Sequence, residues 1–381
     1  MKLHLLAIPA SVVSLGLAAV AGLVAFRVAA GPLNPPGGTV SSTYKTLGEV
    51  EPRIVINATN TPGDDDSNFK IIQPGSYYLP GDLTGQSGKR GIEIASSDVT
   101  IDLNGFTLRG VTGALDGISC SSVVLTGIVV QNGIIRGWPS RGIDLLAGPS
   151  YGGRVEGVAA ENNGLDGIKV GNEFIVTKCT SVNNGQYGIM AYSACTISNC
   201  SARGNGGYGF ICTSTCAFSD CSAYLNGLHG FSSIFEGAAI RNCSSSYNSG
   251  DGFNLAAGST ITNCSAAYND GCGFLMTTRS TIEGCTAMLN AVGAASGANI
   301  KLTGADNRVA GNNCSAGLRG IQAAASGNFI SRNVCSGNTT NWDVVAGNAC
   351  LVVNASMGGA ILGNSGGTAP GSTDPNANFT Y

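Results

Sequence analysis

A repeat of about 21 residues constrains the fold of this chain more than any other feature of its sequence. Cysteines recur at steps of 21 or 22 residues, at Cys179, Cys200, Cys221, Cys243, Cys264 and Cys285, and Cys314 and Cys335 resume the step of 21 after one irregular stretch. An asparagine follows each of the first six cysteines by five residues, and a glycine before isoleucine or phenylalanine keeps the same period. A fixed period of this length is typical of a solenoid, in which each repeat forms one coil that stacks on its neighbours.

The repeating unit, I-x-x-C-[ST]-[AS]-x-x-N-x-x-x-G-[IF], predicts short strands with no helical stretch. Apolar and polar residues alternate around the cysteine and after the glycine, as they do in a strand. We expect each strand to pair in parallel with its counterpart about 4.8 Å away in the next coil, and the asparagines to form a hydrogen-bonded ladder. The Asn-Gly and Gly-x-x-Gly sequences predict turns with positive φ. The fold class is therefore all-β, a single-stranded parallel β-helix; a leucine-rich horseshoe has a similar period, but its leucine pattern is missing.

The sequence outside the regular repeat predicts five segments. They are a signal peptide or N-terminal anchor (1–30), a linker (31–53), an N-terminal cap with the first coils (54–110), the β-helix (111–350) and a C-terminal closing segment with a tail (351–381). Lys2 and the apolar run over 5–26 are typical of an export signal cleaved after Ala30, although the run could also span a bilayer as an anchor. We expect a secreted, periplasmic or cell-surface protein that contacts a membrane only if this segment is retained.

Composition excludes some partners and cofactors. The 20 Lys and Arg residues are matched by 23 Asp and Glu residues, so the chain lacks the basic surface of a nucleic-acid binder. Neither a metal nor another cofactor is predicted, because no Cys-x-x-Cys with histidine partners occurs. The 14 cysteines are expected mainly to fill the core, and one or two disulfides between coils remain an alternative.

The residue before each Gly-Ile or Gly-Phe is the strongest functional candidate, because these residues should form one column along the stack. The column is Arg90, Asp116, Arg141, Asp166, Tyr187, Tyr208, His229, Asp251, Cys272 and, after the irregular stretch, Arg319. One interpretation is a binding groove, and the other is a solvated turn column that tolerates large polar side chains.

Specific roles follow from the side-chain chemistry in the column. Tyr187 and Tyr208 can stack on sugar rings, and Arg141 and Asp166 are further candidate ligand contacts. His229 beside Asp251 suggests a general base with an orienting carboxylate. Outside the column, Trp138 lies between two arginines in a loop, Arg136-Gly137-Trp138-Pro139-Ser140-Arg141. It is a candidate contact for an acidic glycan if its ring is exposed, and the alternative is that it packs over a coil edge.

The repeats resemble the right-handed parallel β-helix repeats of the pectate-lyase-like superfamily. The opening IIQPGSYYLPGDL…GIEIASSDVTIDLNGFTLRG and the ending CSGNTTNWDV…DPNANF are similar to a group of exported bacterial β-helix proteins. The resemblance implies the right-handed fold over residues 54–381 but transfers no complete catalytic set. Leu228-His229-Gly230 is only part of the Gly-His-Gly of polygalacturonase-like enzymes, and Tyr208-Gly209-Phe210 matches only the first three positions of the alginate-epimerase-like Tyr-Gly-Phe-Asp-Pro-His.

Two functions therefore remain as hypotheses. The first is an exported β-helix repeat protein that binds polysaccharide or acts as a surface or structural module. The alternative is a carbohydrate-active enzyme, a lyase, epimerase or glycoside hydrolase, acting on an acidic polysaccharide through His229 and Asp251. The sequence leaves open whether the protein is an enzyme.

Overall fold

A computed structural model describes residues 51–121, 124–146, 150–354 and 375–381 of the chain. All but the first two of these residues lie in the compact unit Arg53–Tyr381. The segments predicted at 1–30 and, for the most part, at 31–53 lie outside the described residues. Among the residues that the structure describes, none lies in a helix long and apolar enough to cross a membrane.

The described residues form short strands joined by tight turns. In chain order the strands are β1 (Ile54–Val55), β2 (Ser67–Ile71), β3 (Gly75–Tyr78), β4 (Leu83–Thr84), β5 (Arg90–Ile94), β6 (Val99–Asp102), β7 (Thr107–Arg109), β8 (Ile118–Cys120), β9 (Thr126–Arg136), β10 (Ile143–Leu145), β11 (Tyr151–Glu161), β12 (Ile168–Val170), β13 (Ile175–Thr177), β14 (Thr180–Val182), β15 (Ile189–Ser193), β16 (Thr196–Ser198), β17 (Ser201–Arg203), β18 (Phe210–Ser214), β19 (Ala217–Ser219), β20 (Ser222–Tyr224), β21 (Phe231–Ser233), β22 (Ala239–Arg241), β23 (Ser244–Ser246), β24 (Phe253–Leu255), β25 (Thr260–Thr262), β26 (Ser265–Ala267), β27 (Phe274–Met276), β28 (Thr281–Glu283), β29 (Thr286–Met288), β30 (Ile300–Leu302), β31 (Arg308–Ala310), β32 (Asn313–Ser315), β33 (Arg319–Ala323), β34 (Phe329–Ser331), β35 (Val334–Ser336), β36 (Thr340–Val344), β37 (Ala349–Cys350), β38 (Val352–Asn354) and β39 (Asn378–Thr380).

These strands form two parallel sheets, as a β-helix requires. Sheet 1 has 13 strands, one from each coil, and runs from β2 to β36. Sheet 2 has 26 strands, and a typical coil contributes two of them. The pairing is in register: Ile189 lies opposite Phe210, and Phe210 lies opposite Phe231. The predicted parallel β-helix is confirmed.

Each regular coil turns three corners, and each corner has one residue in the left-handed conformation. In the coil that contains β15, β16 and β17 these residues are Ala194, Asn199 and Gly204, with φ of 57°, 53° and 65°. The next residue at each corner points inward, at Cys195, Cys200 and Asn205, and is buried. The corners therefore set the period, because a side chain after each turn must stack on its counterpart in the next coil.

The asparagine ladder at the third corner is present as predicted. Asn205 donates its side-chain amide to Oδ1 of Asn226 at 3.0 Å, and Asn226 does the same to Asn248 at 3.0 Å. Each Oδ1 also accepts the main-chain N–H of the preceding asparagine, for example from Asn205 to Asn226 at 3.1 Å. The ladder satisfies buried main-chain groups that the turn leaves unpaired.

The repeat requires glycine before isoleucine or phenylalanine because neighbouring coils approach its Cα closely, not because its φ is positive. The prediction of positive φ at these glycines is therefore wrong. Gly188 and Gly209 do not adopt the left-handed conformation. A Cβ at Gly209 would lie 2.7 Å from the carbonyl oxygen of Gly230 and 2.8 Å from Nδ2 of Asn226. Only glycine lets the coils and the asparagine ladder pack this closely.

The core is a set of stacked side chains between the two sheets. Phe210, Phe231, Phe253 and Phe274 are fully buried, and successive rings stack with centroids 4.7, 4.8 and 4.8 Å apart. All 14 cysteines are free thiols, and every one except Cys350 is buried. The expectation that cysteine fills the core is confirmed, and the structure contains none of the alternative disulfides.

The irregular stretch shifts the cysteine register in a way that the spacing did not reveal. The main-chain N–H of Cys285 donates to Oδ1 of Asn312 at 2.8 Å, so asparagine continues the cysteine column. Cys314 instead pairs with Ala287, two positions further along the strand. Cys314 and Cys335 resume the step of 21 but belong to the neighbouring column.

A separate N-terminal cap over 54–110 is not confirmed. Strands β2 and β5 pair as coils of sheet 1, and β3 pairs with β6 in sheet 2. The described residues of this segment are therefore already part of the solenoid. The other predicted segment boundaries stay predictions.

Candidate ligand-binding face

The predicted column lies along one edge of sheet 1, as the repeat indicated. The main-chain N–H of Gly167 donates to the carbonyl of Tyr187, and Gly188 and Gly209 bind Tyr208 and His229 in the same way at 2.9 to 3.0 Å. The rings of Tyr187 and Tyr208 are 5.2 Å apart, and those of Tyr208 and His229 are 5.4 Å apart. The fold thus joins three rings from three coils into one half-buried stack.

At one end of the ring stack, positively and negatively charged side chains pair with each other in one cluster. Arg141 binds Asp166 at 3.1 Å and Asp144 at 3.2 Å, and Lys169 lies 3.8 Å from Asp144. Asp166 is only 2% exposed, and burial raises the pKa of its carboxyl above the usual value. Its other oxygen accepts the main-chain N–H of Tyr187 at 3.2 Å. Arg141 and Asp166 therefore stabilise the fold through their ion pair, and a ligand could contact only the exposed part of the Arg141 side chain.

The other end of the stack contains the predicted catalytic pair. His229 and Asp251 are adjacent, with Nδ1 3.3 Å from Oδ2. The main-chain N–H of Asp251 donates to Nδ1 at 2.8 Å, and Nε2 lies 3.2 Å from the side-chain amide nitrogen of Asn254, so both ring nitrogens already have neighbours in the protein. Burial lowers the pKa of His229, partly opposed by the charge of Asp251.

This geometry differs from that of an oriented general base. The carboxylate of Asp251 accepts the main-chain N–H of Cys272 at 2.7 Å and the side-chain amide of Asn254 at 2.9 Å, rather than an N–H of His229. Nδ1 of the histidine is already occupied as an acceptor. In this column an acceptor side chain binds the main-chain N–H of the next coil, as also at Asp166. The catalytic roles of the pair stay a prediction.

Beside the ring stack, sheet 1 presents a surface of uncharged side chains, most of which the sequence analysis did not single out, and Lys169 borders it opposite Met190. We call it the aromatic face and define it by Tyr187, Met190, Tyr192, Tyr208, Ile211, Thr213, Ser232, Ile234 and Phe235. At its centre neighbouring side chains cover Ile211, which is 4% exposed, and Thr213, which is 7% exposed. Its rim is open, because Tyr192 is 40% exposed and Phe235 is 64% exposed.

A local insertion produces part of this rim. The step from Cys221 to Cys243 is 22 residues instead of 21, and the extra residue falls in the coil where Ile234 and Phe235 bulge from the end of β21. The main chain of Ile234 and Phe235 donates to the carbonyls of Cys212 and Thr213 at 3.0 and 2.8 Å, which anchors the bulge to the preceding coil. The irregular step was the sequence signal that could have revealed this feature.

The prediction that Trp138 contacts a ligand is wrong. The side chain is fully buried, and its indole N–H donates to the carbonyl of Leu108 at 3.2 Å. A Cβ at Gly85 would lie 2.6 Å from the ring and a Cβ at Gly91 would lie 2.8 Å from it, so the ring occupies space that only glycine leaves free. Trp138 therefore fills space between the coils instead of gripping a glycan.

Three acidic side chains lie together near the start of the solenoid. Asp64, Asp66 and Glu93 are the one set of three potential ligands that lie together among the described residues. Lys70 binds Asp64 at 2.7 Å and Glu93 at 3.1 Å, and Arg90 binds Asp66. Each of the three carboxylates therefore has a cationic partner, with Lys70 shared between two of them.

Comparisons with known proteins agree with this architecture. Residues 82–226 match a family model described as a right handed beta helix region. Among solved structures, the chain is similar to a double mutant of the tailspike protein of the E. coli bacteriophage HK620, with 12% identity, a TM-score of 0.54 and coverage of 78% of this chain and 69% of that chain. No curated protein matches the chain.

Two further solved structures are more distant in shape. The Dettilon tailspike protein has 14% identity, a TM-score of 0.48 and coverage of 73% of this chain, and the chain spans 59% of the length of that tailspike. The A-module of the Azotobacter vinelandii mannuronan C-5 epimerase AlgE4 has 14% identity, a TM-score of 0.44 and coverage of 72% of this chain and 90% of that module. At these identities the likeness concerns the fold alone. The chain folds as a right-handed parallel β-helix built from repeated coils.

Proposed function

We propose that this protein is an exported polysaccharide-binding protein and that the aromatic face of sheet 1 holds the glycan. The observation that carries the proposal is the half-buried stack of Tyr187, Tyr208 and His229, whose rings come from three neighbouring coils. Sugar rings expose apolar C–H faces and polar edges, so they suit a surface of aromatic rings bordered by hydrogen-bonding groups.

The stacking of coils favours a polymer over a small ligand. Equivalent positions repeat along sheet 1 about every 4.8 Å, and the face extends over at least three coils from Tyr187 to Phe235. A chain of sugars can contact all of them at once. The bonded state of His229 and Asp251 favours binding over catalysis, because Nδ1 and both carboxylate oxygens already have partners.

The test is binding of the purified full-length protein to a panel of neutral and acidic polysaccharides, measured by affinity electrophoresis. Tyr208→Ala should weaken binding by about 1.5 kcal/mol, or roughly tenfold, because one stacking ring is lost. The matched control is Tyr247→Ala, since Tyr247 is also half exposed and stacks on Tyr268 at 4.8 Å but lies outside the aromatic face.

Equal affinity of Tyr208→Ala and the unchanged protein would refute the proposed site. If the bound polysaccharide becomes shorter during incubation, and His229→Ala abolishes that shortening, the enzymatic alternative holds instead. Export is tested separately by fractionating cells that express the full chain and comparing the mass of the recovered protein with cleavage after Ala30. Recovery from the cytoplasm alone, with the N-terminus intact, would contradict export.

A further inference from the structure

A groove of about 350 Å³ lies on the outer surface of sheet 2, whereas the aromatic face lies on sheet 1. Ala217 and Ala239 line it, pair with each other in neighbouring coils and are both exposed. The same column holds Ile175 and Thr196 before these alanines and Thr260 after them. Two successive short side chains therefore leave a depression between longer ones, with a volume in the range of clefts that hold small ligands, roughly 300–1,000 Å³.

One arginine borders this groove together with two hydroxyl-bearing side chains. Arg241 is exposed and lies directly opposite Ser219 in one neighbouring coil and Thr262 in the other, and all three residues line the groove. Among the described residues, the guanidinium of Arg241 forms no ion pair and no hydrogen bond, and the hydroxyls of Ser219 and Thr262 have no hydrogen-bond partner. Three neighbouring donors are thus free to bind a ligand.

The carboxylates closest to Arg241 along this surface bind other groups. Asp220 follows Ser219 at the corner and accepts the side-chain amide of Asn242 at 3.2 Å. Glu283, two coils beyond Arg241 on the same row, binds Arg308 at 3.6 Å and Arg332 at 3.3 Å. The guanidinium of Arg241 therefore keeps its donors available for an anionic group from outside the chain.

The arrangement of the donors selects among anionic groups. A carboxylate has two oxygens, and a guanidinium binds both of them in a bidentate contact, which leaves the flanking hydroxyls unused. A sulfate ester has three terminal oxygens, enough to bind the guanidinium of Arg241 and both hydroxyls at once. Its single negative charge matches one guanidinium, whereas a phosphate monoester carries about −1.5 to −2.

We propose that this groove is a second ligand site and that it holds a sulfated sugar. The sulfate ester binds Arg241 between the hydroxyls of Ser219 and Thr262, and the apolar C–H face of the sugar ring contacts Ala217 and Ala239. The site is on sheet 2 and shares no residue with the aromatic face, so this inference does not depend on the proposed function.

The test is affinity electrophoresis of the full-length protein with three polymers that share one backbone: dextran sulfate, carboxymethyl dextran and unsubstituted dextran. Dextran sulfate should bind at least about tenfold more tightly than the other two at roughly 0.15 M salt, because only its substituent engages all three donors. Raising the salt concentration to about 0.5 M should weaken the binding of dextran sulfate several-fold, because the charge pair is screened.

Charge variants locate the effect at the groove. Arg241→Ala should reduce the affinity for dextran sulfate by about tenfold or more, because hydrogen bonds to a charged group are lost. Arg241→Lys keeps the charge without the planar fork and should restore only part of the affinity. The matched control is Arg203→Ala, which removes another exposed arginine of sheet 2, one that lies over the ring of Tyr224 at 5.6 Å, and should leave the affinity unchanged.

A third variant tests the depression without changing any charge. Ala239→Ile fills the floor of the groove and should lower the affinity for dextran sulfate by about tenfold. The equivalent position two coils before Ala217 already carries Ile175, which is 46% exposed, so the fold accommodates this side chain.

The outcomes separate this inference from the proposed function. Equal losses in Arg203→Ala and Arg241→Ala would reveal unspecific attraction between charges and overturn the site. Equal affinity for carboxymethyl dextran and dextran sulfate would overturn the selection of sulfate. Tyr208→Ala should leave the binding of dextran sulfate unchanged, and a tenfold loss in that variant would move the sulfated ligand to the aromatic face. If a polysaccharide binds through Tyr208 and dextran sulfate does not bind, the proposed function stands and this inference is overturned.

Discussion

Replacement of Asn226 by alanine tests the ladder that holds the coils in register. The side chain is 1% exposed and makes four hydrogen bonds. Its amide donates to the carbonyl of Ala202 at 3.2 Å and to Asn248 at 3.0 Å. Its Oδ1 accepts both the main-chain N–H and the side-chain amide of Asn205 at 3.1 and 3.0 Å.

The expected loss follows from these bonds. Alanine leaves the main-chain N–H of Asn205 without its partner in a site that water does not reach, which costs about 1–3 kcal/mol. The other lost bonds are each worth roughly 1 kcal/mol where their partners keep a second contact. We therefore expect the free energy of unfolding to fall by about 4 kcal/mol, a large share of the roughly 5–15 kcal/mol of a typical domain.

Urea denaturation followed by circular dichroism measures this change. Asn226→Asp keeps the shape but places an oxygen against Oδ1 of Asn248, so it should destabilise at least as much as alanine and thereby exclude a pure cavity effect. The control is Asn199→Gly, at an exposed corner with φ of 53°, which should change the stability by less than about 0.5 kcal/mol. A loss below about 1 kcal/mol for Asn226→Ala would refute the assignment of the ladder as the main clamp between coils.

Three further results are expected. Burial raises the pKa of Cys120 to about 12, and every other thiol except that of Cys350 is buried as well, so a thiol reagent should modify at most about one cysteine of the native protein within minutes. After denaturation without reductant all 14 cysteines should react, and a count of 12 or fewer would reveal disulfides. Gly209→Ala should lower the unfolding free energy by more than about 2 kcal/mol, because its Cβ would lie 2.7 Å from a carbonyl oxygen. Gly81→Ala, which adds a carbon in open space, should leave the unfolding free energy unchanged. Similar effects of the two substitutions would contradict the close-approach argument. Burial lowers the pKa of His229 from its usual value of 6.5, so as the pH falls the unfolded chain binds a proton before the folded protein does. The unfolding free energy should therefore be highest above pH 6.5 and fall as the pH drops from 6.5 toward the folded-state pKa. His229→Gln should flatten this slope in urea titrations at several pH values.

The sequence predicted the columns of the solenoid well because its period equals the physical repeat. A step of 21 residues is enough to place Tyr187 under Tyr208, and Tyr208 under His229, since parallel coils stack equivalent positions. It also predicted the asparagine ladder, because a side chain repeated at a buried corner must bond to its own copies.

The same reasoning failed where the period broke or where burial mattered. The irregular stretch before Asn312 moved Cys314 into the column of Ala287, and no spacing rule shows by how many positions an insertion shifts a strand. Trp138 was a candidate ligand contact because arginines flank it along the chain, and packing over a coil edge was the alternative. Its burial depends on Gly85 and Gly91, which approach it from other coils.

The sequence by itself thus determined the coil, the parallel pairing and the order of residues along each column, because these depend only on a local pattern that repeats. The tertiary structure decided which members of a column reach solvent and which groups they bond. Asp166 became a buried partner of Arg141, and Nδ1 of His229 became the acceptor of the main-chain N–H of Asp251. Those outcomes depend on atoms supplied by neighbouring coils, where a shift of one residue turns a side chain from the interior to the solvent.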